Sequence, residues 1–561
     1  MGMMSVDASQ PGTDRIVGIE VAPPSSESLR ETIESIVVAF ILAFVFRAFV
    51  VEAFRIPTGS MAPTLYGDHG QMRCEECAYP FAFNMRQETL PQDFEVICPN
   101  CTARNVVHAS AAKPYRALGG DRILVLKWPY DIGGAWLGPQ RWDVSVFKDP
   151  KDSQTNFIKR LTGLPGEVFE IVDGDVYAVP ADRVPESIRN KLKPNGAPRL
   201  SESEVRRLNG LLKIQRKTAL AQKSLWLLHY DHDFPSAHRD DRHPYWAAPT
   251  PSGWKTDAPR IRFDGGDAEQ TIALAGKPIE DFYGYNGIQT WAYPLERSVD
   301  VGDVRLQFVL VPQAGATQAG SESRLSVSLA KDGWTFTARL HADGLAELLL
   351  RRPQRPEYDE KLAEFRGSPL EPGRPLSVAM QNVDYRVSLQ LNDQTVLETN
   401  EATYAPHLDE LRRRDSRLVQ RKELDSPRAS MRIGAAGIPL ELRHVRVYRD
   451  VYYRAATDEY RFAGGYPGSG RGTGGNPILL RDGEFFMCGD NSPQSKDSRL
   501  WIAAEVSPFL QSRGDDYQVG TVPADQMIGR AFFVYWPAGK PLLVENGPAI
   551  VPDVGRMRWI R

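Results

Sequence analysis

The stretch from Asn156 to Val179 reads NFIKRLTGLPGEVFEIVDGDVYAV, and its pattern decides the fold class. Three apolar-rich runs are separated by a Pro-Gly pair and an Asp-Gly pair, both of which favour tight turns. Two earlier segments, GDRILVLKWPY (120–130) and RWDVSVFKDP (141–150), read as further strands. The sequence therefore predicts a mainly β protein that is built from short hairpins.

A second region of alternating apolar residues extends from about residue 300 to residue 450. Leu306, Phe308 and Leu310 share one face, and similar runs recur with turn pairs at short intervals. This pattern predicts an inserted β-sandwich over 300–452, similar to a concanavalin-like or laminin-G-like jelly roll. We expect a mixed insert at 181–299 and a flexible, glycine-rich linker at 453–477.

The bulk composition limits the classes of protein that this chain can represent. A chain of 561 residues is too long for one ordinary core, so several domains are expected. The formal net charge of -3 argues against a protein that binds nucleic acid mainly through phosphate contacts. Five cysteines are too few for a disulfide-dense secreted scaffold. The chain is expected to have no nucleic-acid partner.

Residues 34–54, ESIVVAFILAFVFRAFVVEAF, form the one stretch that is long and apolar enough to span a lipid bilayer. About 35 residues precede its apolar part and RIPTGS follows it, which disfavours a cleaved signal peptide. The alternative is a buried helix of a soluble protein. We predict a single transmembrane helix at 34–54, preceded by a disordered tail at 1–30.

Ser60 lies in IPTGSMAPTL (56–65), where two prolines and a glycine predict an exposed loop. A serine hydroxyl is a poor nucleophile unless a base lies within hydrogen-bond reach. Lys159 can act as that base if burial lowers its pKa by about three units. Lys159 and Arg160 point to opposite faces of a strand, so Lys159 can be buried while Arg160 stays in water. Lys127, His69 and His108 are rival neighbours, although the two histidines read as solvated loop residues.

Three stretches together resemble the conserved boxes of the type I (leader) signal peptidases, which are membrane-bound Ser–Lys endopeptidases. They are IPTGSMAPTL, FIKRLTGLPG and GDNSPQSKDSRLW, and they follow the apolar helix in the family's order. GDRILVLK and RWDVSVFK occupy the places of two further boxes, so Lys127 belongs to a different box from the catalytic lysine. Trp142 departs from the family by replacing a glycine. The resemblance implies a catalytic domain at 55–70, 112–180 and 478–545, with a C-terminal tail at 546–561.

The resemblance also implies a role for each matched residue. Ser60 would be the nucleophile and Lys159 the general base. The Ser60 N–H and the Thr58 hydroxyl would form the oxyanion hole. The supporting residues would be a Ser495 hydroxyl bonded to the Lys159 amine, an Asp497–Arg499 ion pair below the site, and Met61 beside the substrate cleft.

The function that follows is removal of N-terminal signal peptides from exported preproteins, without a catalytic cofactor. The family implies a single-pass protein of the cell (inner) membrane whose catalytic domain lies on the non-cytoplasmic side. Its partners would be preproteins that carry signal peptides, the lipid bilayer, and a glycan or protein ligand of the sandwich. One alternative is a non-catalytic tethered glycan- or protein-binding module with vestigial peptidase boxes; another is a self-cleaving Ser–Lys repressor.

Residues 71–111 contain two CxxC pairs, whose spacing fits a small zinc-ribbon-like insert. Four thiolates would leave no open metal position, so the zinc would be structural. Disulfides are the alternative in an oxidising compartment. The fifth cysteine, Cys488, is expected to be a buried strand residue. The predicted ligands are Cys74, Cys77, Cys98 and Cys101.

Overall fold

A computed structural model describes residues 26–85, 89–90, 92–192, 200–286, 298–314, 323–419, 428–454, 470–540 and 551–560. The chain divides into two units between Glu52 and Ala53. The fold is mainly β with one long N-terminal apolar helix, as predicted. Most of the predicted disordered tail lies outside the described residues.

The N-terminal unit is dominated by a helix from Ser26 to Phe49. Its stretch Leu29–Phe49 is long and apolar enough to cross a membrane, and none of it is buried within the protein. The helix ends five residues before the predicted boundary, because a strand begins at Val51 and continues to Arg55. Residues 26–30 belong to this helix, although they were predicted to be part of the tail.

The catalytic unit predicted from the sequence contains two antiparallel sheets. The first includes, in spatial order, the strands Arg122–Leu126, Met527–Trp536, Val144–Lys148, Asn156–Gly163, Glu484–Cys488 and Val522–Pro523. The second has the order Lys213–Ile214, Asp175–Pro180, Glu167–Val172 and Ile478–Leu479. Asp173 and Gly174 both have positive φ, which is the backbone that the predicted Asp-Gly hairpin requires.

Register in the first sheet brings distant parts of the chain together. Lys159 lies opposite Ser145 on one neighbouring strand, and Arg160 lies opposite both Val144 and Cys488. The strand that carries Lys159 therefore has a neighbouring strand on each side. The GDN segment, 489–491, directly follows one of these neighbours, Glu484–Cys488. Apolar clusters on this sheet bury its interior residues, including Val125, Val144, Val146, Phe147, Leu161, Met487 and Trp501.

The sandwich consists of two further antiparallel sheets around one large apolar core. One contains Trp254–Lys255, Ile261–Phe263, Leu440–Arg449, Val304–Pro312, Leu376–Val383, Arg386–Leu391 and Gln394–Glu398, with Leu227–Asp231 paired to Leu440–Arg449. The other contains Tyr245–Ala247, Gln270–Ala275, Ala429–Ala436, Arg324–Lys331, Trp334–His341, Leu345–Arg352 and Arg355–Arg366. Because strands from 227–275 belong to both sheets, the sandwich begins well before the predicted boundary at residue 300.

Short helices and the cysteine-bearing insert complete the described structure. The helices are Trp128–Ile132, Gly134–Leu137, Glu186–Arg189, Glu202–Leu211, Ala219–Leu225, Leu408–Val419 and Pro508–Gln511. The insert has the paired strands His69–Arg73 with Pro80–Asn84, Phe94–Ile97 with Arg104–Val107, and Thr89–Leu90 with Tyr115–Arg116.

Two segments predicted as linker and tail have defined contacts. Thr473 forms a β-bridge with Ile171, so the described part of the linker, 470–477, is attached to the second catalytic sheet. Arg558–Trp559 pairs with Met527–Trp536, and Ile560 is buried in the core of the first sheet. A short pair, Gly539–Lys540 with Val551–Pro552, precedes it. Residues 558–560 of the predicted tail therefore contribute to the first sheet.

Candidate active site

Ser60 lies on a single turn of 3-10 helix, Gly59–Met61, directly after the first strand. Its side chain is half-buried, while Ile56 and Met61 below it are buried. Met61 packs in the core of the first sheet with Leu65 and Val125. Met61 has no exposed surface and supports the turn from below, and its place beside the substrate cleft stays a prediction.

The Lys159 amine lies against the Ser60 hydroxyl. Lys159 Nζ donates to Ser60 Oγ at 2.8 Å and to the Ile158 carbonyl at 2.9 Å. The Lys159 residue is only 4% exposed, and its amine lies 5.1 Å from the centroid of the Phe157 ring. Burial lowers the pKa of Lys159 from 10.5 to about 8, and the carboxylates of Asp497 and Asp149 limit that decrease. The amine can therefore lose its proton near neutral pH, as a general base must.

The predicted ion pair of Asp497 and Arg499 is fully buried. Arg499 Nε and Nη2 donate to the two carboxylate oxygens of Asp497 at 2.8 and 2.7 Å. The Ser495 hydroxyl donates to Asp497 Oδ2 at 2.7 Å. In the described part of the chain, Ser495 thus orients the carboxylate, and the predicted Ser495 bond to the Lys159 amine is not formed. Asp497 influences the Lys159 pKa through its charge.

Thr58 directly precedes the turn and its side chain is exposed. It has extended backbone angles and makes no side-chain capping bond to the turn. Thr58 is thus two residues before Ser60, and its hydroxyl does not cap the turn. Its contact with the oxyanion stays a prediction.

Arg160 differs from the sequence-based expectation, because it is also completely buried. Its guanidinium donates through Nε to Asp490 Oδ1 and through Nη2 to Asp490 Oδ2, both at 2.7 Å. The Trp142 carbonyl accepts a third bond at 2.7 Å. Lys159 and Arg160 point to opposite faces of this strand. Both faces are covered, so both side chains are buried. Asp490, in the GDN segment, is the partner that sequence reasoning missed, because Arg160 was expected to lie in water.

Trp142 has a φ of 76°, a backbone conformation that favours glycine, the residue that the family resemblance implies at this position. The side chain is buried and its indole Nε1 donates to the Arg216 carbonyl at 3.0 Å.

The rival histidines occupy different environments. His69 is buried, not solvated as expected, and its Nδ1 lies 2.7 Å from the Gly67 carbonyl oxygen. Burial lowers the pKa of His69. His108 is exposed and lies 3.0 Å from an Asp93 carboxylate oxygen. These contacts tie both rings to neighbours within the cysteine-bearing region.

The four predicted ligand cysteines converge, with all sulfurs within 4.8 Å of one another. Cys74 and Cys101 are 3.5 Å apart at sulfur, and Cys77 and Cys98 are 3.7 Å apart. Four sulfurs around a tetrahedral zinc at about 2.3 Å lie about 3.8 Å from one another. All four are free buried thiols, so the geometry fits a closed metal site and not disulfides. Cys488 is buried as predicted, and burial raises the pKa of its thiol to about 12.

A buried lysine amine that contacts a serine hydroxyl defines a candidate serine–lysine nucleophilic centre. Residues 29–234 and 392–536 match the family described as Signal peptidase, peptidase S26. These ranges cover more than half of the chain, and the chain belongs to this family. The part between the two matched ranges, 235–391, lies largely in the sandwich.

The chain is similar to signal peptidase I of Pseudomonas fluorescens, at 29% identity over 26% of this chain and 36% of that protein. It is also similar to signal peptidase I of Pseudomonas aeruginosa, at 31% identity over 22% of this chain and 29% of that protein. The chain spans about a third of the length of the curated relatives it matches. The structure of a carbohydrate-binding module of Bacillus subtilis, CBM66, aligns with 36% of this chain and 94% of its own chain at 10% identity. Its TM-score of 0.22 is too low to indicate a shared fold.

Proposed function

We propose that this protein is a membrane-anchored serine endopeptidase that removes N-terminal signal peptides from exported preproteins. The observation that carries the proposal is the 2.8 Å contact between the Lys159 amine and the Ser60 hydroxyl. It is supported by burial of that amine, by a pKa lowered to about 8, and by membership of the signal peptidase family.

In the proposed reaction, neutral Lys159 takes the proton of Ser60 as its oxygen attacks the scissile carbonyl. The developing oxyanion would be bound by the Ser60 N–H and the Thr58 hydroxyl. Lys159 then gives its proton to the departing amine of the mature protein, which leaves an acyl-enzyme on Ser60. The Lys159 amine next takes a proton from water, whose oxygen attacks the ester. Lys159 then returns that proton to the Ser60 oxygen as the signal peptide leaves.

The proposed substrates explain why an apolar helix precedes the nucleophile. The stretch Leu29–Phe49 would anchor the protein in the cell (inner) membrane, with the catalytic unit on the non-cytoplasmic side. The cleavage region of a signal peptide is a short extended segment that leaves the bilayer. Ser60 follows the anchoring helix closely in sequence, so the nucleophile would meet that segment near the membrane. The family implies small side chains next to the cleaved bond.

We also propose a structural zinc ion held by the four cysteines. Cys74, Cys77, Cys98 and Cys101 would supply all four ligands, so the ion would stabilise the insert and take no part in hydrolysis.

The test uses the full chain in lipid vesicles with a signal-peptide-bearing preprotein as substrate. Ser60→Ala and Lys159→Ala should each lower the cleavage rate by at least about 1,000-fold. Lys127→Ala, which removes the rival lysine, should stay within about threefold of wild type. Thermal unfolding of each variant verifies that the fold is intact. Cleavage by folded Ser60→Ala at the wild-type rate would reject the proposal.

A further inference from the structure

Asn491 donates one hydrogen bond to the peptide before Ser60 and one to the peptide after it. Asn491 Nδ2 donates to the Gly59 carbonyl at 2.9 Å, and the Asn491 N–H donates to the Ser60 carbonyl at 3.0 Å. A trans peptide is planar, with its C=O and N–H pointing in opposite directions. Fixing the Gly59 carbonyl therefore also fixes the direction of the Ser60 N–H, the proposed oxyanion donor.

The Asn491 amide is itself oriented by Asn286. Asn286 Nδ2 donates to Asn491 Oδ1, and Asn491 Nδ2 donates to Asn286 Oδ1, each at 2.7 Å. Asn491 is only 1% exposed, so an unmatched amide oxygen there would be costly. Asn286 lies between the two ranges that match the family, and thus belongs to the predicted mixed insert, 181–299.

The residue before Asn286 restrains the same turn by contact. A Cβ placed on Gly59 would lie 2.6 Å from a ring carbon of Tyr285 and 2.9 Å from Asn84 Oδ1. Tyr285 is 1% exposed and lies on the single-turn segment Gly284–Asn286. The nucleophile turn therefore packs against Tyr285 and is linked to Asn286 through Asn491.

The segment Gly284–Asn286 also packs against the second CxxC pair, Cys98 to Cys101, which we call the cysteine knuckle. A Cβ on Gly284 would lie 2.8 Å from Cα of Pro99, the residue between Cys98 and Asn100. Gly284 therefore lies close against Pro99, with no space for a side chain between them. A continuous set of contacts thus runs from the cysteine cluster to the nucleophile.

We propose that Asn286 is a positioning residue that acts through Asn491 to hold the Gly59–Ser60 peptide in the orientation needed to bind the oxyanion. The proposal rests on the proposed function, because it assigns a residue of the mixed insert a role in the same reaction. Its effect is on the transition state, in which the carbonyl oxygen gains charge, more than on binding of the substrate.

The first test is the kinetics of Asn286→Ala in the full chain. We expect kcat to fall about tenfold, because the oxyanion donor loses its fixed direction, while KM stays within about twofold. The matched control is Asn209→Ala, which removes an equivalent amide bonded to Asp409 and Arg412, and should keep the wild-type kcat. An unchanged kcat, or a rise in KM alone, would overturn the proposal. Cleavage by Ser60→Ala would instead reject the proposed function itself.

A double-mutant cycle tests whether Asn286 acts through Asn491. In an Asn491→Ala background, Asn286→Ala should change kcat by less than about twofold, because the hydrogen bonds through which Asn286 acts on the turn are already gone. Independent, multiplicative losses would overturn that route. If Asn286→Ala does not fold, Asn286→Leu keeps the volume while removing both hydrogen bonds, and a wild-type kcat for that variant contradicts the proposal.

The link to the cysteine knuckle has a readout that does not depend on activity. Amide hydrogen exchange is measured on the zinc-loaded chain and after removal of the metal with a chelator. Peptides covering 57–66 should exchange faster once the metal is removed, while the sandwich strand Val304–Pro312 should keep its rate. Unchanged exchange at 57–66 would exclude a contribution of the knuckle to the nucleophile turn.

Discussion

The active site and the boundary between the catalytic sheets and the sandwich each bury lysines, with opposite results. Lys159 contacts a hydroxyl and a carbonyl, and burial lowers its pKa to about 8. The Lys217 side chain is 3% exposed, but it lies 2.5 Å from an Asp384 oxygen and 2.7 Å from an Asp450 oxygen. Burial lowers the pKa of Lys217, but these carboxylates outweigh it and raise the pKa well above its usual value.

Lys331 repeats the behaviour of Lys217, since it forms a buried ion pair with Asp303 and its pKa is also raised. The comparison shows that burial alone does not make a lysine a base; its carboxylate neighbours must also be engaged elsewhere. At the active site Asp497 is bonded by Arg499 and Ser495, which keeps it from forming an ion pair with Lys159.

The largest expected difference between the two regions is in activity. Lys159→Arg should lower kcat by at least about 1,000-fold, because a guanidinium stays protonated and cannot accept the Ser60 proton. Lys217→Arg preserves the required positive charge and should keep activity within about threefold. Both variants are measured with the same preprotein in vesicles. Comparable losses in the two would contradict the distinction between a base and a structural cation.

Stability should respond with opposite signs. The folded pKa of Lys159 is about 8 and its usual value is 10.5, so folding is penalised wherever the unfolded lysine is charged. That penalty is full below pH 8 and disappears as the pH rises to 10.5.

At pH 7, Lys159→Met should therefore raise the free energy of unfolding by up to about 3 kcal/mol. Lys331→Met leaves the Asp303 carboxylate buried without its cation and should lower the free energy of unfolding by about 3–5 kcal/mol. Denaturant unfolding of the two variants checks both values, and a shared sign would refute the comparison.

The pH dependence of cleavage reports directly on the lowered pKa. Because the neutral amine is the active form, kcat/KM should fall about tenfold per pH unit below pH 8. Above the pKa the rate should reach a plateau. A profile that keeps rising toward pH 10.5 would indicate a lysine with an ordinary pKa and no effective burial.

The smallest expected effect comes from Asp149, a buried carboxylate that raises the pKa of Lys159. Asp149→Asn should move the acid limb of the pH profile to lower pH, since the protonated amine loses a favourable charge. Asp152→Asn, in the same loop but exposed, is the matched control and should leave the limb in place. Movement to higher pH would contradict the electrostatic account.

Much of the site could be predicted because it depends on local pattern. The Asp-Gly pair fixes a hairpin turn through backbone preference, as predicted. The Pro-Gly pair does not form a hairpin, because the strands on either side of it, Asn156–Gly163 and Glu167–Val172, belong to different sheets. The apolar neighbours of Lys159 indicated its burial, and the three family boxes selected Ser60, Lys159 and the Asp497–Arg499 pair. The CxxC spacing likewise indicated a four-cysteine cluster before any distances were known.

The sequence by itself determined which residues could carry the chemistry, because turns, strand periodicity and ligand spacing act over short stretches of chain. Only the tertiary structure decided who their partners are: Asp490 for Arg160, Asp497 for Ser495, and Asn286 for Asn491. The first and last of these pairs join residues more than 200 positions apart, and such contacts depend on how whole sheets and inserts pack. Periodicity gives the face of a strand, but it does not say whether that face is covered, or by what.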